Sequence, residues 1–310
     1  SDTFRFSTNL QGVTDSGFWE ISYTRAVNDF VFSVPDVLNT EFQLALYGLG
    51  GSNCDPVAGT PGEGNCEFFN PFATSYTSSP NSDYVVDSFT GKQVIDSKAD
   101  LEVIEAFTSF DVFEVGGGYA ALALGVQYRE NQLSQDYDEL SNQDSFTFVI
   151  GNPDIDGSQD VWAAFGELAL PLTDDLDVQV ALRYEDYGGN IGSTVDPKLA
   201  VSYRASDTLS FRGSISTSFR APTVFLAQGG ATSLQQILDP VQGAVTFVAV
   251  RTSGNEELKP EESTAYNLGI SFEPFRDLSL ELAYWNFAFD DLIIQENEQA
   301  VINAETTAGA

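Results

Sequence analysis

The feature that most constrains this chain is a strict alternation of apolar and polar side chains that persists over long segments. Between positions 176 and 185 the apolar residues Leu176, Val178, Val180, Leu182 and Tyr184 alternate with polar or small residues. Successive side chains of a β-strand point to opposite faces of the sheet, so this segment has one apolar and one polar face. Segments 198–204 and 209–216 repeat the pattern without a slip in phase. The alternation predicts an all-β chain.

Ten strands are predicted from this alternation and from the turn residues that separate its segments. Most are about 10 to 15 residues long, which exceeds the typical strand of a soluble protein and suits a tilted membrane crossing. They cover residues 2–12, 17–30, 99–114, 118–130, 160–171, 176–186, 195–205, 208–220, 263–274 and 277–292. Residues 40–49 have the spacing of a short amphipathic helix ended by Gly50 and Gly51, and residues 303–310 read as a loop.

Tight turns and long polar loops alternate along the chain. The turns at 173–175, 205–207 and 274–277 are short, whereas 33–98, 131–159 and 221–262 are long. This segregation is typical of outer-membrane β-barrels, in which the short turns face the periplasm. A soluble β-sandwich shares the alternation but has less reason to segregate loop lengths. The fold class predicted for residues 1–310 is therefore an antiparallel transmembrane β-barrel segment with long extracellular loops, located in the bacterial outer membrane.

The polar face of the predicted wall carries charged side chains of both signs. Such a row cannot be a dry core, because burying unpaired charges costs several kcal/mol each, so the lumen is expected to hold water or polar protein. In hydrocarbon a sheet must also close on itself, so ten strands need partner strands from outside this chain. The inward residues are Arg183, Arg204, Arg212, Arg220, Lys198, Glu167, Glu185 and Glu281.

Charge and composition exclude several classes of function. The net charge of −33 repels phosphate backbones and argues against a nucleic-acid partner. It indicates either a solvated acidic surface or attraction of cations at the loop tips. The chain contains no His, so neither a Ser-His-Asp nor a Cys-His arrangement can form, and no enzyme is predicted. No window of about 18 apolar residues is present for a transmembrane helix.

Two small motifs suggest local stabilisation. Cys54 and Cys66 flank a Gly- and Pro-rich segment and could form a disulfide in an oxidising compartment, with two free thiols as the alternative. Asn152, Asp154, Asp156 and Asp160 surround Gly157 as in the first nine positions of an EF-hand loop. Ala163 replaces the bidentate Glu at position twelve, so a plain turn-rich loop competes with a calcium site, and no other cofactor is expected.

Several motifs resemble the barrel of TonB-dependent outer-membrane receptors. The strongest lie between residues 161 and 294, and weaker ones lie upstream, so the resemblance covers most of the chain. The strong motifs are 218–223 (SFRAPT), 255–263 (NEELKPEES), 282–287 (LAYWNF) and 290–293 (DDLI). The weaker ones are 66–72 (CEFFNPF), 113–118 (FEVGGG) and 124–130 (LGVQYRE).

The resemblance implies a barrel of about 22 strands filled by an N-terminal plug. It also implies uptake of a scarce bulky solute, such as an iron chelate, a vitamin or an oligosaccharide, driven by the TonB complex through a coupling box. The chain lacks the plug, the coupling box and the final barrel strand. It is therefore expected to be the central part of a larger receptor, with membrane lipid, the plug, the remaining strands and TonB as partners.

Candidate residues follow from the loops and from the best motifs. The aromatic loop residues suit sugar stacking and an aromatic chelate equally, and they are Phe68, Phe69, Phe72, Tyr76, Tyr137, Phe225 and Phe247. Arg220, before Pro222, is expected to fix the strand exit by pairing with a carboxylate, with substrate contact as the alternative. Lys259, Pro260 and Glu261 are expected to set re-entry into the next strand, because proline suits a strand's start. The alternatives to a receptor are a passive porin-like channel and a secreted structural or adhesive protein.

Overall fold

The computed structural model describes residues 1–73 and 80–308, and this part of the chain contains twelve strands and five helices. The strands are β1 (Asp2–Thr14), β2 (Gly17–Val37), β3 (Thr90–Val115), β4 (Gly118–Tyr137), β5 (Ile155–Thr173), β6 (Leu176–Asp186), β7 (Ser193–Ser206), β8 (Leu209–Arg220), β9 (Gly230–Asp239), β10 (Ala244–Ser253), β11 (Glu261–Phe275) and β12 (Leu278–Asp290). The helices are α1 (Asn39–Leu46), α2 (Asp83–Phe89), α3 (Glu139–Asn142), α4 (Val224–Gln228) and α5 (Glu298–Ala308).

Ten of these strands form one antiparallel sheet, which confirms the predicted fold class. Its order is β1-β2-β3-β4-β5-β6-β7-β8-β11-β12, so each strand pairs with its neighbour in sequence except where the β9–β10 hairpin is inserted. The tight turns at 15–16, 116–117, 174–175, 207–208 and 276–277 all lie at one end, and the long connections lie at the other. Within the described residues, β1 and β12 each have one open edge.

The two faces of the sheet differ as the alternation predicts. On β6, Leu182 is 51% exposed, although the residue is large and apolar. The adjacent residue Arg183 points to the other face and pairs with Glu185. The same contrast of exposed apolar and paired polar residues recurs on β7 and β8, and the apolar face is the one that hydrocarbon would cover. No helix in the described part of the chain is long and apolar enough to span a membrane.

The strands continue further into the loop end than the sequence indicates, so the predicted loop boundaries are wrong. β2 and β3 stay paired as far as Val37 and Thr90, and β4 runs to Tyr137. The loops are therefore 38–89 and 138–154 rather than 33–98 and 131–159. Apolar and polar residues no longer alternate there, because neither face of the sheet meets hydrocarbon above the membrane. Without this alternation the sequence pattern does not distinguish a strand from a loop.

Two further segments predicted as loops contain regular structure. The segment predicted as loop 221–262 contains α4 and the β9–β10 hairpin, which forms a separate two-stranded sheet, and β11 begins within it at Glu261. The tail predicted as loop 303–310 is helical as far as Ala308, as part of α5. Short polar elements of this kind are stabilised by contacts with their neighbours rather than by an amphipathic pattern.

The loop 38–89 folds into a small unit with its own core. α1 confirms the predicted helix but ends at Leu46, and Gly48, with φ of 81°, follows it in place of Gly50–Gly51 as the expected stop. Ala45 on α1 and Val85 on α2 are fully buried. Phe42, Phe69 and Phe89 surround them with ring centroids 4.9 to 5.5 Å apart. The predicted disulfide between Cys54 and Cys66 is present and closes the adjoining turn.

The long loops are joined to one another at the loop end. The carboxylate of Asp36, near the end of β2, accepts hydrogen bonds from the backbone N–H groups of Phe148 and Val149. The loop 138–154 reaches the hairpin in turn, because the Thr232 N–H donates to the side-chain oxygen of Asn152. These bonds fix the positions of the loops relative to the wall.

Candidate functional site

A cluster of long polar side chains lies on the inner face of the wall, close to the loop end. Glu185 on β6 is its centre and is only 5% exposed. Its carboxylate pairs with Arg183 at 2.5 Å and with Arg129 of β4 at 3.5 Å. Gln127 accepts weaker hydrogen bonds from both arginines, at 3.4 Å each. Two arginines therefore share one buried carboxylate and one amide oxygen.

The register of the strands explains how this cluster assembles across β5. Gln127, Ala163 and Glu185 lie opposite one another on β4, β5 and β6. The small side chain of Ala163 leaves room for the long side chains of the flanking strands to meet above it. One position further down the wall, Phe165 lies opposite Arg183, and the guanidinium is 5.5 Å from the ring centroid.

Tyr187 follows β6 directly and links this cluster to β8. Its hydroxyl donates to Glu185 at 2.7 Å and accepts from Arg129 at 3.1 Å. Its ring packs edge-on against Phe219 of β8, with centroids 5.7 Å apart. Burial, together with the hydrogen bond to Glu185 and the charge of that carboxylate, raises the pKa of Tyr187 to about 12. The phenol therefore stays protonated and acts as a neutral donor.

A second ion pair joins the ends of β8 and β11. Arg220 contacts both carboxylate oxygens of Glu261, at 2.6 and 2.8 Å. Glu261 is nearly buried and also accepts the N–H of Ile293, whereas most of the Arg220 side chain is exposed. Pro222 is fully buried and its carbonyl accepts from Gln159 of β5. Pro260 stands immediately before β11, and Lys259 beside it is exposed.

Two pockets open at this end of the wall. The first, here called the inner pocket, has a volume of about 620 Å³ and is lined by Arg129, Arg183, Arg220, Tyr187 and residues between them. The second, the rim pocket, has a volume of about 560 Å³ and lies between β5, the 186–191 loop, α4 and residues 255–258. Gln159, Tyr187 and Pro222 line both, so the two pockets adjoin.

The structure does not bring the predicted aromatic ligand residues together. None of the six that it describes lines the inner or the rim pocket. Phe69 belongs to the core of the loop 38–89, the ring of Phe68 lies against Gly48 and Gly62, and Tyr137 accepts from Asn152. Phe72, Phe225 and Phe247 are exposed at separate places, and Tyr76 lies outside the described residues.

The residues of the EF-hand-like motif do not form a cation-binding loop. β5 begins at Ile155, so Asp156 and Asp160 lie on a strand, which corrects the prediction of a turn-rich loop through this segment. The Asn152 side chain donates a hydrogen bond to the Tyr137 hydroxyl, and the Asp154 carboxylate accepts one from the Tyr137 backbone N–H. Within residues 1–73 and 80–308, no group of three or more acidic, Cys or His residues could hold a metal ion.

The inward polar row indicated Arg183, Glu185 and Arg220 as wall residues. Substrate contact was an alternative for Arg220 alone, and the pairing with a carboxylate expected for it is present with Glu261. Arg129 entered only as part of the 124–130 motif and Tyr187 only as an aromatic residue near a strand end, and Gln159 was not singled out. The only available signal was a charged residue at an inward position near a strand's loop end. Many positions share that signal, and only the register across β4, β5 and β6 selects among them.

Comparison with known proteins identifies the architecture. The family model described as TonB dependent receptor-like, beta-barrel matches residues 1–308. A probable TonB-dependent siderophore receptor, PirA of Acinetobacter baumannii, is 26% identical over 160 residues, which are 49% of this chain and 20% of that protein.

Solved structures agree with the family model. The siderophore receptor PirA from Acinetobacter baumannii has a TM-score of 0.54 at 18% identity, over 94% of this chain and 35% of that one. A ferric enterobactin receptor mutant from Pseudomonas aeruginosa, in complex with enterobactin, has a TM-score of 0.53 at 17% identity, with coverage of 93% and 35%. The RagAB peptide transporter has a TM-score of 0.52 at 11% identity, with coverage of 97% and 32%. The chain thus spans about a third of the solved proteins that it matches.

Proposed function

The chain belongs to the TonB-dependent receptor-like β-barrel family of the outer membrane, and from that premise we propose that it forms part of the wall of a receptor that takes up a scarce bulky solute. Members of this family are receptors and transporters rather than enzymes. The observation that carries the proposal is the pair of adjoining pockets at the loop end of a wall whose other face is apolar. A solute arriving from outside the cell meets the pockets before it reaches the lumen.

Uptake requires parts of the protein beyond this chain. The open edges of β1 and β12 need partner strands, because unpaired backbone groups cost several kcal/mol each in hydrocarbon. We assign these strands, a plug inside the lumen and energy coupling through TonB to the rest of the receptor. The solute belongs to one of three classes, an iron chelate, a vitamin or an oligosaccharide, and one of the relatives above, PirA of Acinetobacter baumannii, is a siderophore receptor by name.

The experiment is solute uptake by cells that lack the full-length gene, with and without complementation. We expect uptake of one solute class to be lost on deletion, restored by the gene, and lost again when TonB is removed or the proton gradient is collapsed. A passive porin-like channel would instead continue to admit the solute without TonB. A full-length protein that extracts without detergent would support a secreted all-β protein and contradict the proposal.

A further inference from the structure

β5 rises above its neighbour β6 and leaves an open strand edge in the wall. Pairing between β5 and β6 begins at Trp162 opposite Asp186, whereas pairing between β5 and β4 continues to Ile155. Residues 155–161 therefore have a strand partner on one side only. Every second residue of such a segment turns its N–H and C=O toward the unpaired side. No other backbone or side-chain group in the described residues bonds to these backbone groups.

The rim pocket lies along this open edge. Ser158, Gln159 and Asp160 line one side of it, and Gln228 and Asn255 line another. Gly188 and Gly189 lie beside the pocket, and space is open where their side chains would be. A volume of about 560 Å³ lies within the range of about 300–1,000 Å³ found for ligand pockets. Residues 158–160 of this edge are thus accessible to a ligand that can pair with a strand, whereas Val224 and Gln228 of α4 lie against Gly157.

The charge of the pocket selects the kind of side chain that such a ligand carries. Asp160, Asp186 and Glu256 line the rim pocket, and neither Lys nor Arg is among its lining residues. The loops 38–89 and 138–154, at the same end of the wall, likewise contain Asp and Glu but neither Lys nor Arg. Within the rim pocket an anionic chelate would be repelled and a cationic side chain attracted, whereas Arg129, Arg183 and Arg220 line the adjoining inner pocket.

An apolar surface adjoins these carboxylates. Trp162 lines the pocket at the point where β6 ends, is 62% exposed, and packs against Tyr128 with ring centroids 4.7 Å apart. Trp162 lies on the same apolar face of β5 as Leu168, at the point where that face rises beside Asp160 and Asp186. There its exposed indole offers contact to the aliphatic part and to the charge of a Lys or Arg side chain. It also places a fluorescent reporter in the site.

We propose that the rim pocket binds an extended peptide with Lys or Arg side chains, which pairs with the open edge of β5 as an added strand. Strand addition supplies main-chain hydrogen bonds, and the pocket contacts every second side chain of the peptide. An oligosaccharide lacks the regular N–H and C=O spacing that this edge requires. The inference rests on the proposed function and adds a fourth class to its three candidate solutes, because the peptide would arrive from the medium as the solute.

The test uses the purified full-length receptor in detergent and synthetic hexapeptides of alternating Lys and Val. Binding is followed by tryptophan fluorescence and by calorimetry. We expect the Lys peptide to bind about tenfold or more tightly than a Glu–Val peptide of the same length, because the pocket is lined by carboxylates. A tenfold difference in affinity corresponds to about 1.4 kcal/mol. N-methylation at alternate residues, in both registers, should weaken binding at least tenfold in one register, because it removes the N–H groups that pair with the edge.

Matched variants separate the pocket from the general acidity of the surface. The double variant Asp160→Asn with Glu256→Gln should weaken binding of the Lys peptide about tenfold and reduce the preference for the Lys peptide over the Glu peptide, because two repelling carboxylates are removed. A distant carboxylate serves as the control. That control is Glu63→Gln, an exposed carboxylate in the disulfide turn outside the pocket. It should bind the Lys peptide as the unaltered receptor does.

Three outcomes would overturn the inference. The first is equal binding of the N-methylated peptides, which would mean that no strand is added. The second is equal weakening by Glu63→Gln, which would reduce the effect to non-specific charge. The third is no peptide binding by a folded receptor that still takes up another solute, which would indicate that the edge is covered by the rest of the protein. That last result leaves the proposed uptake function intact, whereas loss of TonB-dependent uptake for all solutes contradicts that function independently.

Discussion

At the scale of single residues, the position of a side chain on the wall decides its chemistry. Glu185 and Glu281 both lie on the polar face of the sheet, yet Glu185 is nearly buried between two arginines and Glu281 is mostly exposed beside Arg212. Two neighbouring strands and Tyr187 enclose Glu185 near the loop end. A buried carboxylate with three partners contributes far more to local stability than an exposed pair does.

Replacing Glu185 tests this difference. We expect Glu185→Ala to lower the free energy of unfolding by about 1–3 kcal/mol, because Arg129, Arg183 and Tyr187 lose their common acceptor in a largely buried place. Glu185→Gln should cost less, since one acceptor oxygen remains. The measurement is thermal unfolding of the full-length receptor in detergent. The matched control, Glu281→Gln, should change stability by less than about 1 kcal/mol. Equal effects of the two would contradict the role of burial.

A second residue prediction concerns Asp55 in the disulfide turn. Its carboxylate accepts the N–H groups of Ala58 and Val57, and these bonds lower its pKa. A lowered pKa means that the stabilisation is complete above the ordinary value of about 3.9 and is lost as pH falls through the lower folded value. We expect hydrogen-exchange protection of the Val57 and Ala58 amides to decline below about pH 4. In Asp55→Asn that protection should no longer depend on pH, and an unchanged profile would contradict the assignment.

At the scale of elements, the sequence predicts strands well where both faces have distinct surroundings. All ten strands of the main sheet were predicted, with tight turns at one end. The extensions of β2, β3, β4 and β5 above the membrane were not, because polar residues such as Asp36, Lys92 and Asp156 occupy both faces there. Hairpin β9–β10 was also missed, since its pairing is stabilised by contacts with loops distant in sequence.

The loop 38–89 is an element with its own core, and its disulfide can be tested separately from the wall. Replacing Cys54 and Cys66 by Ser should destabilise the turn by about 3 kcal/mol, the loop-closure value for a segment of this length. We expect faster proteolysis and faster hydrogen exchange in residues 50–66. Exchange in β5 and β6 should not change, because the disulfide closes a turn within the loop and lies outside the wall. Uniformly faster exchange throughout the wall would contradict this independence.

At the scale of the whole molecule, the wall is polarised from end to end. The tight turns define one end, and the interlocked loops, the two pockets and many of the carboxylates define the other. In an outer-membrane barrel the short turns face the periplasm. The loop end should therefore face the medium, where the pockets can meet a solute.

Thiol labelling tests this orientation in the full-length receptor. The two natural cysteines form a disulfide, so an introduced cysteine adds the one free thiol within the described part of the chain. We expect a membrane-impermeant maleimide to label Glu139→Cys in intact cells, because α3 lies at the loop end. Asp174→Cys, in the turn between β5 and β6, should react only after the outer membrane is permeabilised. Labelling of both positions in intact cells would contradict the orientation.

The sequence by itself determined the wall of this protein. Hydrocarbon on one face and a polar lumen on the other require apolar and polar side chains to alternate along each strand, and this alternation is visible in the sequence. It also determined the order of the strands and the separation of the tight turns from the long loops. The sites were decided by tertiary structure. Glu185 meets Arg129 only because Ala163 leaves room across β5, and the open edge beside the rim pocket exists only because β6 ends at Asp186. Such contacts depend on the pairing register of strands that are distant in sequence. A local sequence pattern does not contain this register.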